Sequence, residues 1–218
     1  MVINAAIFDL DGVIVNTVPL HFKAWQKMFN EYGHDFTMQD YLAKVDGRPR
    51  LEGAAAILTE LNPEEITRAG DIKQGYYQQL LDQDPIEQFD SSIKLIKEMK
   101  AKGFKLAAAS SSKNATQILK KIDLFDLFDA NVSGSDFKKG KPDPEIFLTA
   151  AKKMGIEPKD AVVFEDANSG VEAARRGGFI CVGINRHNNA RALASADIIV
   201  NDLRELPLSE IVKLERKS

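Results

Sequence analysis

Four short runs set the architecture of this chain: AAIFDL (5–10), FKLAAAS (104–110), AVVFE (161–165) and FICVGI (179–184). Each is apolar at successive positions, so both faces of a strand built from it need covering. A parallel sheet with helices on its two sides meets that need. ADIIV (196–200) adds a strand near the end, and a weaker one lies in FDANVSGSD (128–136). Helical patterns fall between the strands: SSIKLIKEMKAKG (91–103), KNATQILKKIDLF (113–125), PDPEIFLTAAKKMG (142–155) and NSGVEAARRGG (168–178). Gly103 is placed to stop the first of these. Strand and helix in alternation predict an α/β fold, a parallel sheet core with helices on both faces.

Residues 16–86 break that rhythm, with helical patterns at 20–32, 51–61 and 63–83 and no convincing strand. An ordinary crossover between parallel strands needs only about a dozen residues. This stretch therefore reads as an inserted helical cap domain, with 1–15 and 87–218 forming the α/β core. At 218 residues and 44% hydrophobic content, the chain can bury a core of that kind plus a smaller insert.

Charge excludes some partners. The net charge of −3 and a pI near 5.7 come with no dense basic block, so no nucleic-acid surface is expected. No apolar stretch approaches a membrane span and no signal peptide stands at the start, so a cytoplasmic location without membrane partners is expected. The single cysteine, Cys181, lies in an apolar run and reads as a small buried hydrophobe. A monomer is expected, since no exposed apolar helix stands out.

In open parallel sheets, ligands bind beyond the carboxyl ends of the strands. Asp9-Leu10-Asp11-Gly12 follows the first strand and Ser110-Ser111-Ser112-Lys113-Asn114 the second. Lys141-Pro142 follows the weak strand, and Glu165-Asp166 follows AVVF. Any one aspartate here would serve as a turn residue or helix cap. Four carboxylates at one sheet end, with hydroxyls, an amide and lysines beside them, are poorly explained by packing. They suit a hard cation, which takes oxygen ligands, and a phosphate.

DLDG (9–12), SSSKN (110–114), KPDPEIF (141–147) and EDANSG (165–170) resemble, in order, the four motifs of the haloacid-dehalogenase-like superfamily. The resemblance implies a Rossmann-like core, a cap inserted after the first strand, and Mg²⁺-dependent phosphoryl transfer through an aspartyl-phosphate. On that resemblance Asp9 is the nucleophile, and Asp11 is the general acid that later turns base. Mg²⁺ is held by Asp9, the Asp11 carbonyl and Asp166, with Glu165 a further ligand or outer partner. Ser110 and Lys141 hold the transferring phosphoryl oxygens. Ser112 and Asn114 add phosphate contacts at the start of a helix, and Lys113 is a substrate contact or a solvated surface lysine.

Within that superfamily, DLDGVIVNTVPLHFKAW (9–25) is similar to the β-phosphoglucomutase-like subfamily. The similarity implies substrate-binding roles for Thr17, His21, Trp25, Gly47, Arg50 and Lys73, with Arg50 and Lys73 facing a second, non-transferring phosphate. His21 and Trp25 lie four apart and share a helix face, which also suits a pair of core residues. The loop DGRPRLEG (46–53) departs from the subfamily by carrying Asp46 where a lysine precedes the glycine; Arg48 is nearby to compensate. The activity implied is interconversion of β-glucose 1-phosphate and glucose 6-phosphate or a similar sugar phosphate. The alternatives are a phosphatase of small phosphorylated metabolites and, from another class, a non-catalytic binding or regulatory module.

Overall fold

The computed structural model describes residues 3–46, 48–186 and 188–215. The chain forms two compact units, one made of the stretch ending at Asn16 together with everything from Glu87 onward, the other Thr17–Ile86. In chain order the elements are β1 (Ala5–Asp9), β2 (Val15–Asn16), α1 (Val18–Glu31), α2 (Met38–Asp40), α3 (Arg50–Ala55) and α4 (Pro63–Gln83). They continue as β3 (Glu87–Gln88), α5 (Asp90–Ala101), β4 (Lys105–Ala109), α6 (Ala115–Lys121), β5 (Ala130–Val132) and α7 (Glu145–Met154). Last come β6 (Ala161–Glu165), α8 (Asn168–Gly177), β7 (Ile180–Ile184), β8 (Ile198–Val200) and α9 (Leu208–Ile211).

The first unit is a six-stranded parallel sheet in the order β5-β4-β1-β6-β7-β8. All five residues of β1 are buried, as are those of β6 and β7, which is why their sequences are apolar throughout. Phe8 stacks on Phe164 of the neighbouring strand at 4.5 Å between ring centres. α7 and α8 supply Ile146, Phe147, Ala150, Val171 and Ala174 to the core, with Cys181 buried among them. α7 and α8 end at Gly155 and Gly178 in the left-handed conformation, and Gly103, also at positive φ, follows α5. Strand order reverses around β1: the chain runs outward through β4 and β5, then returns to β6 on the other side of β1. A crevice opens at such a switch point beyond the carboxyl ends of the flanking strands. Here those ends lead into Asp9, Ser110 and Glu165–Asp166.

Several short elements escape the sequence pattern. β2 and β3 pair antiparallel, Val15 with Gln88 and Asn16 with Glu87, and the Asn16 amide donates to the Glu87 carboxylate at 2.7 Å. The positions where the chain leaves and re-enters the α/β unit are thereby joined. In the helical unit, Tyr41–Val45 is a turn of π-helix following the Thr37/Asp40 capping box.

The helical unit packs α1 and α4 together around Trp25, Met28, Phe29, Phe36, Tyr41, Leu58 and Ala69. α4 starts at a capping box in which Asn62 accepts from the Glu65 N–H while Glu65 accepts from that of Asn62. Among the described residues no helix is long and apolar enough to cross a membrane.

Candidate active site

Asp9 is the last residue of the central strand and its side chain is 8% exposed. Lys141 reaches it from the loop before α7, Nζ donating to Asp9 Oδ1 at 2.5 Å and to Glu165 Oε2 at 2.9 Å. The loop is shaped by Glu145, which accepts the backbone N–H groups of Lys138 and Lys139 at 3.1 and 2.9 Å. Burial opposes the Lys141 charge, but the carboxylates of Asp9 and Glu165 outweigh it and hold the amine protonated.

Glu165 is wholly buried, one oxygen on Lys141 and the other accepting the Ala167 N–H at 3.1 Å. A side chain at Gly170 would overlap its carboxyl group, so the glycine clears that space at the start of α8. Gly12, at φ +79°, does the same for Asp166: a Cβ there would overlap the Asp166 carboxylate. The two glycines thus let Glu165 and Asp166 close on Asp9, and oxygens of all three carboxylates lie within 4.8 Å of one another.

Crowding has an electrostatic cost. Burial, then the Asp9 charge, push Glu165 up to about 8 and Asp166 up to about 7. Burial also raises Asp9, against the pull of Lys141. Two buried carboxylates and the half-buried Asp166 repel one another when all are ionised. A hard divalent cation fits that set by charge and by donor type.

Beside this cluster, the Ser110 hydroxyl approaches Asp11 Oδ2 at 3.4 Å and accepts the Ser112 N–H at 3.0 Å. Ser112 in turn accepts the Asn114 N–H at 3.1 Å, forming the turn that precedes α6. Lys113 is exposed on that turn. Asp9, Asp11, Ser110, Lys141, Glu165 and Asp166 are therefore brought together in the α/β unit, with Ser112 adjoining them through Ser110.

The helical unit gathers a second group. Lys73 on α4 is only 4% exposed, and its Nζ lies 2.9 Å from His21 Nδ1 on α1. The amine also sits over the rings of Tyr77, at 4.9 Å, and Trp25, at 5.1 Å, while His21 stacks on Tyr77 at 4.2 Å. Burial, then the nearby Arg50, lower Lys73 to about 7. Burial and the Lys73 charge lower His21 as well. The neutral imidazole then accepts at Nδ1, which leaves the ring proton on Nε2. Arg50 opens α3 and pairs with Asp71 Oδ1 at 3.0 Å, drawn against α4 where Gly70 has no side chain.

Trp25 and Thr17 are buried as deeply as Lys73. Trp25 is 4% exposed and stacks on Phe29 at 5.2 Å, so its ring belongs to the core and meets Lys73 from beneath. Thr17 is buried at the head of α1, its carbonyl accepting the His21 N–H. Asp46 and Arg48 are exposed, and Gly47 lies outside the described residues. Sequence reasoning missed Tyr77, whose helical spacing of four from Lys73 was the available signal. It also missed Arg186, although the polar turn NRHNN stands at a strand end.

A carboxylate cluster with a shared lysine at the switch point of a parallel sheet marks the chain as an enzyme of the phosphomutase or phosphatase type. The chain belongs to the haloacid dehalogenase-like hydrolase family, whose profile matches residues 3–178. It is 35% identical to β-phosphoglucomutase of Mycobacterium bovis, over 94% of this chain and 91% of that protein. A phosphorylated carbohydrates phosphatase of Thermotoga maritima is 33% identical, over 90% of this chain and 92% of the relative. The crystal structure of β-phosphoglucomutase from Clostridium difficile superimposes with a TM-score of 0.81 at 30% identity, covering 97% and 96% of the two chains.

Proposed function

We propose that the chain transfers a phosphoryl group on a sugar phosphate through an aspartyl-phosphate on Asp9, with Mg²⁺ as cofactor. The activity proposed is of the β-phosphoglucomutase kind, on β-glucose 1-phosphate and glucose 6-phosphate or a close analogue. The observation that carries this reading is Asp9 itself, held by one oxygen to Lys141 at the switch point of the sheet. Burial makes its carboxylate more basic, hence more nucleophilic, while Lys141 keeps it ionised. Attack on phosphorus is assigned to the other carboxylate oxygen. Asp11 protonates the leaving oxygen, and the phosphoenzyme then needs the same carboxylate as a base toward the acceptor. Ser110 and Lys141 donate to the transferring phosphoryl oxygens. Asp9, Asp166 and the Asp11 carbonyl would hold Mg²⁺, with Glu165 as ligand or outer partner; when bound, it offsets charge on the phosphoryl oxygens. In the helical unit, Lys73, Arg50 and His21 are assigned to the remainder of the sugar phosphate, with Trp25 and Thr17 supporting them and Lys113 as a further contact.

The test supplies β-glucose 1-phosphate, Mg²⁺ and a catalytic amount of β-glucose 1,6-bisphosphate. Glucose 6-phosphate should form, and chelation should stop it. Phosphate release without isomer would establish the second reading, a sugar-phosphate phosphatase with water as acceptor. Asp46 favours that alternative, because an anion in the loop weakens retention of a bisphosphate. The second reading also accords with the phosphatase among the relatives.

Metal binding should be visible in stability. Asp166 and Glu165 titrate higher in the folded chain than the ordinary 3.8 and 4.5. Over that interval the folded state binds more protons than the unfolded one, so their contribution falls as pH rises through about 7 to 8. Chelator-treated protein should therefore lose denaturant resistance between pH 5 and pH 8, and added Mg²⁺ should restore it most at pH 8. A flat profile in both states would count against a cation site.

A further inference from the structure

Arg186 lies two residues beyond β7, with its side chain only 14% exposed, and takes no part in the chemistry above. We propose that Arg186 is a positioning residue that clamps the turn after Asp11 and so holds Asp11 for proton transfer to the leaving group. Its Nε donates to the Gly12 carbonyl at 2.9 Å. The guanidinium lies 3.8 Å from the centre of the Phe89 ring, within cation–π range. Phe89 in turn donates its N–H to the Ile14 carbonyl at 2.9 Å, so one side chain grips both ends of the same turn. Asp202 stands 3.8 Å from Nη1, anchored by Ser91 Oγ at 3.1 Å and Arg204 Nε at 2.7 Å.

Gly12 is where such a clamp has effect. Its N–H is fixed to the Val15 carbonyl at 2.8 Å, and its φ of +79° is one glycine reaches as readily as many others. Local sterics therefore do not lock Gly12, the residue after Asp11; the Val15 acceptor on its N–H and the Arg186 donor on its carbonyl do. Packing alone does not explain the residue. Nη2 is buried with no hydrogen-bond partner among the described residues, a cost that a leucine or methionine would avoid.

The proposal rests on Asp11 as the general acid, and its test separates the two. Proton donation matters for a sugar alkoxide leaving group and little for p-nitrophenolate. Arg186→Gln should slow phosphoenzyme formation from β-glucose 1,6-bisphosphate by about 10–100-fold, within the range of general acid catalysis. Phosphoenzyme formation from p-nitrophenyl phosphate by the same preparation should slow less than about threefold, because leaving-group protonation contributes little there. The ratio of the two is insensitive to the fraction of protein folded. Arg186→Lys keeps the charge without the fork and should show the same selectivity, which provides a reading if the glutamine variant does not fold. Equal losses on both esters in the Arg186 variants, or no loss on either, would overturn the proposal. Asp11→Asn is the control: a selective loss there with none at Arg186 refutes the clamp alone. An unselective loss at Asp11 refutes the acid assignment and the clamp with it.

Discussion

An Asp9→Asn variant should turn over no phosphate ester, with kcat reduced by about 10⁴-fold or more, the scale on which deleting a nucleophile acts. The amide keeps the shape of the carboxylate at the end of β1, and Lys141 keeps its bond to Glu165 at 2.9 Å. What it loses is the charge that attacks phosphorus. The loss should therefore be the same for good and poor leaving groups, unlike a loss at Asp11. Rapid-quench labelling should find a hydroxylamine-sensitive phosphoenzyme in the parent and none in the variant. Folding should not suffer: the substitution removes one of three mutually repelling carboxylates, so metal-free variant should melt no lower than metal-free parent. Turnover that survives the substitution would place the nucleophile elsewhere.

The core and its reactive rim were legible because both depend on short-range sequence facts. β1, β6 and β7 are buried on both faces, so their apolar runs announce a parallel sheet, and the residues after those runs are automatically at the ligand-binding end. The features that were not legible are set by partners distant in sequence. β2 and β3 are two residues each and exist only because Asn16 meets Glu87. His21 and Trp25 share a face of α1 as their spacing implies, but Trp25 turns into the core while His21 meets Lys73 and Tyr77, more than fifty residues along. Nothing local distinguishes Lys73 from the other lysines; its burial comes from α1 packing on α4. Arg186 is likewise an unremarkable turn residue until Gly12 and Phe89 are placed beside it.

Lys73→Met should make the protein more stable and a poorer enzyme. The parent buries an amine with no carboxylate against it among the described residues; it lies among His21, Tyr77 and Trp25, with Arg50 as the neighbouring charge, itself paired to Asp71. Its value of about 7 in the folded chain lies below the ordinary 10.5, so from about pH 7 to 10.5 the unfolded chain binds the extra proton. Stability gained from deprotonation therefore rises with pH across that window, and the full penalty applies below it. Methionine is unbranched, fills comparable space and needs no solvation. After subtracting about 1 kcal/mol for the lost bond to His21 and a similar amount for the aromatic contacts, a net gain on the order of 2 kcal/mol is expected at pH 7. Calorimetric melting should show the gain at pH 7 and its disappearance toward pH 10. Activity moves the other way: the parent's KM for a sugar phosphate should rise between pH 6 and 8 as Lys73 loses its proton. In the variant KM should be about tenfold higher and nearly independent of pH over that range, the cost of one missing charge-assisted contact. A variant that melts lower would mean the buried amine is compensated by its surroundings, and an unchanged KM would remove Lys73 from substrate binding. The two results together would show the helical unit carrying an unstable lysine for the sake of the anion it meets.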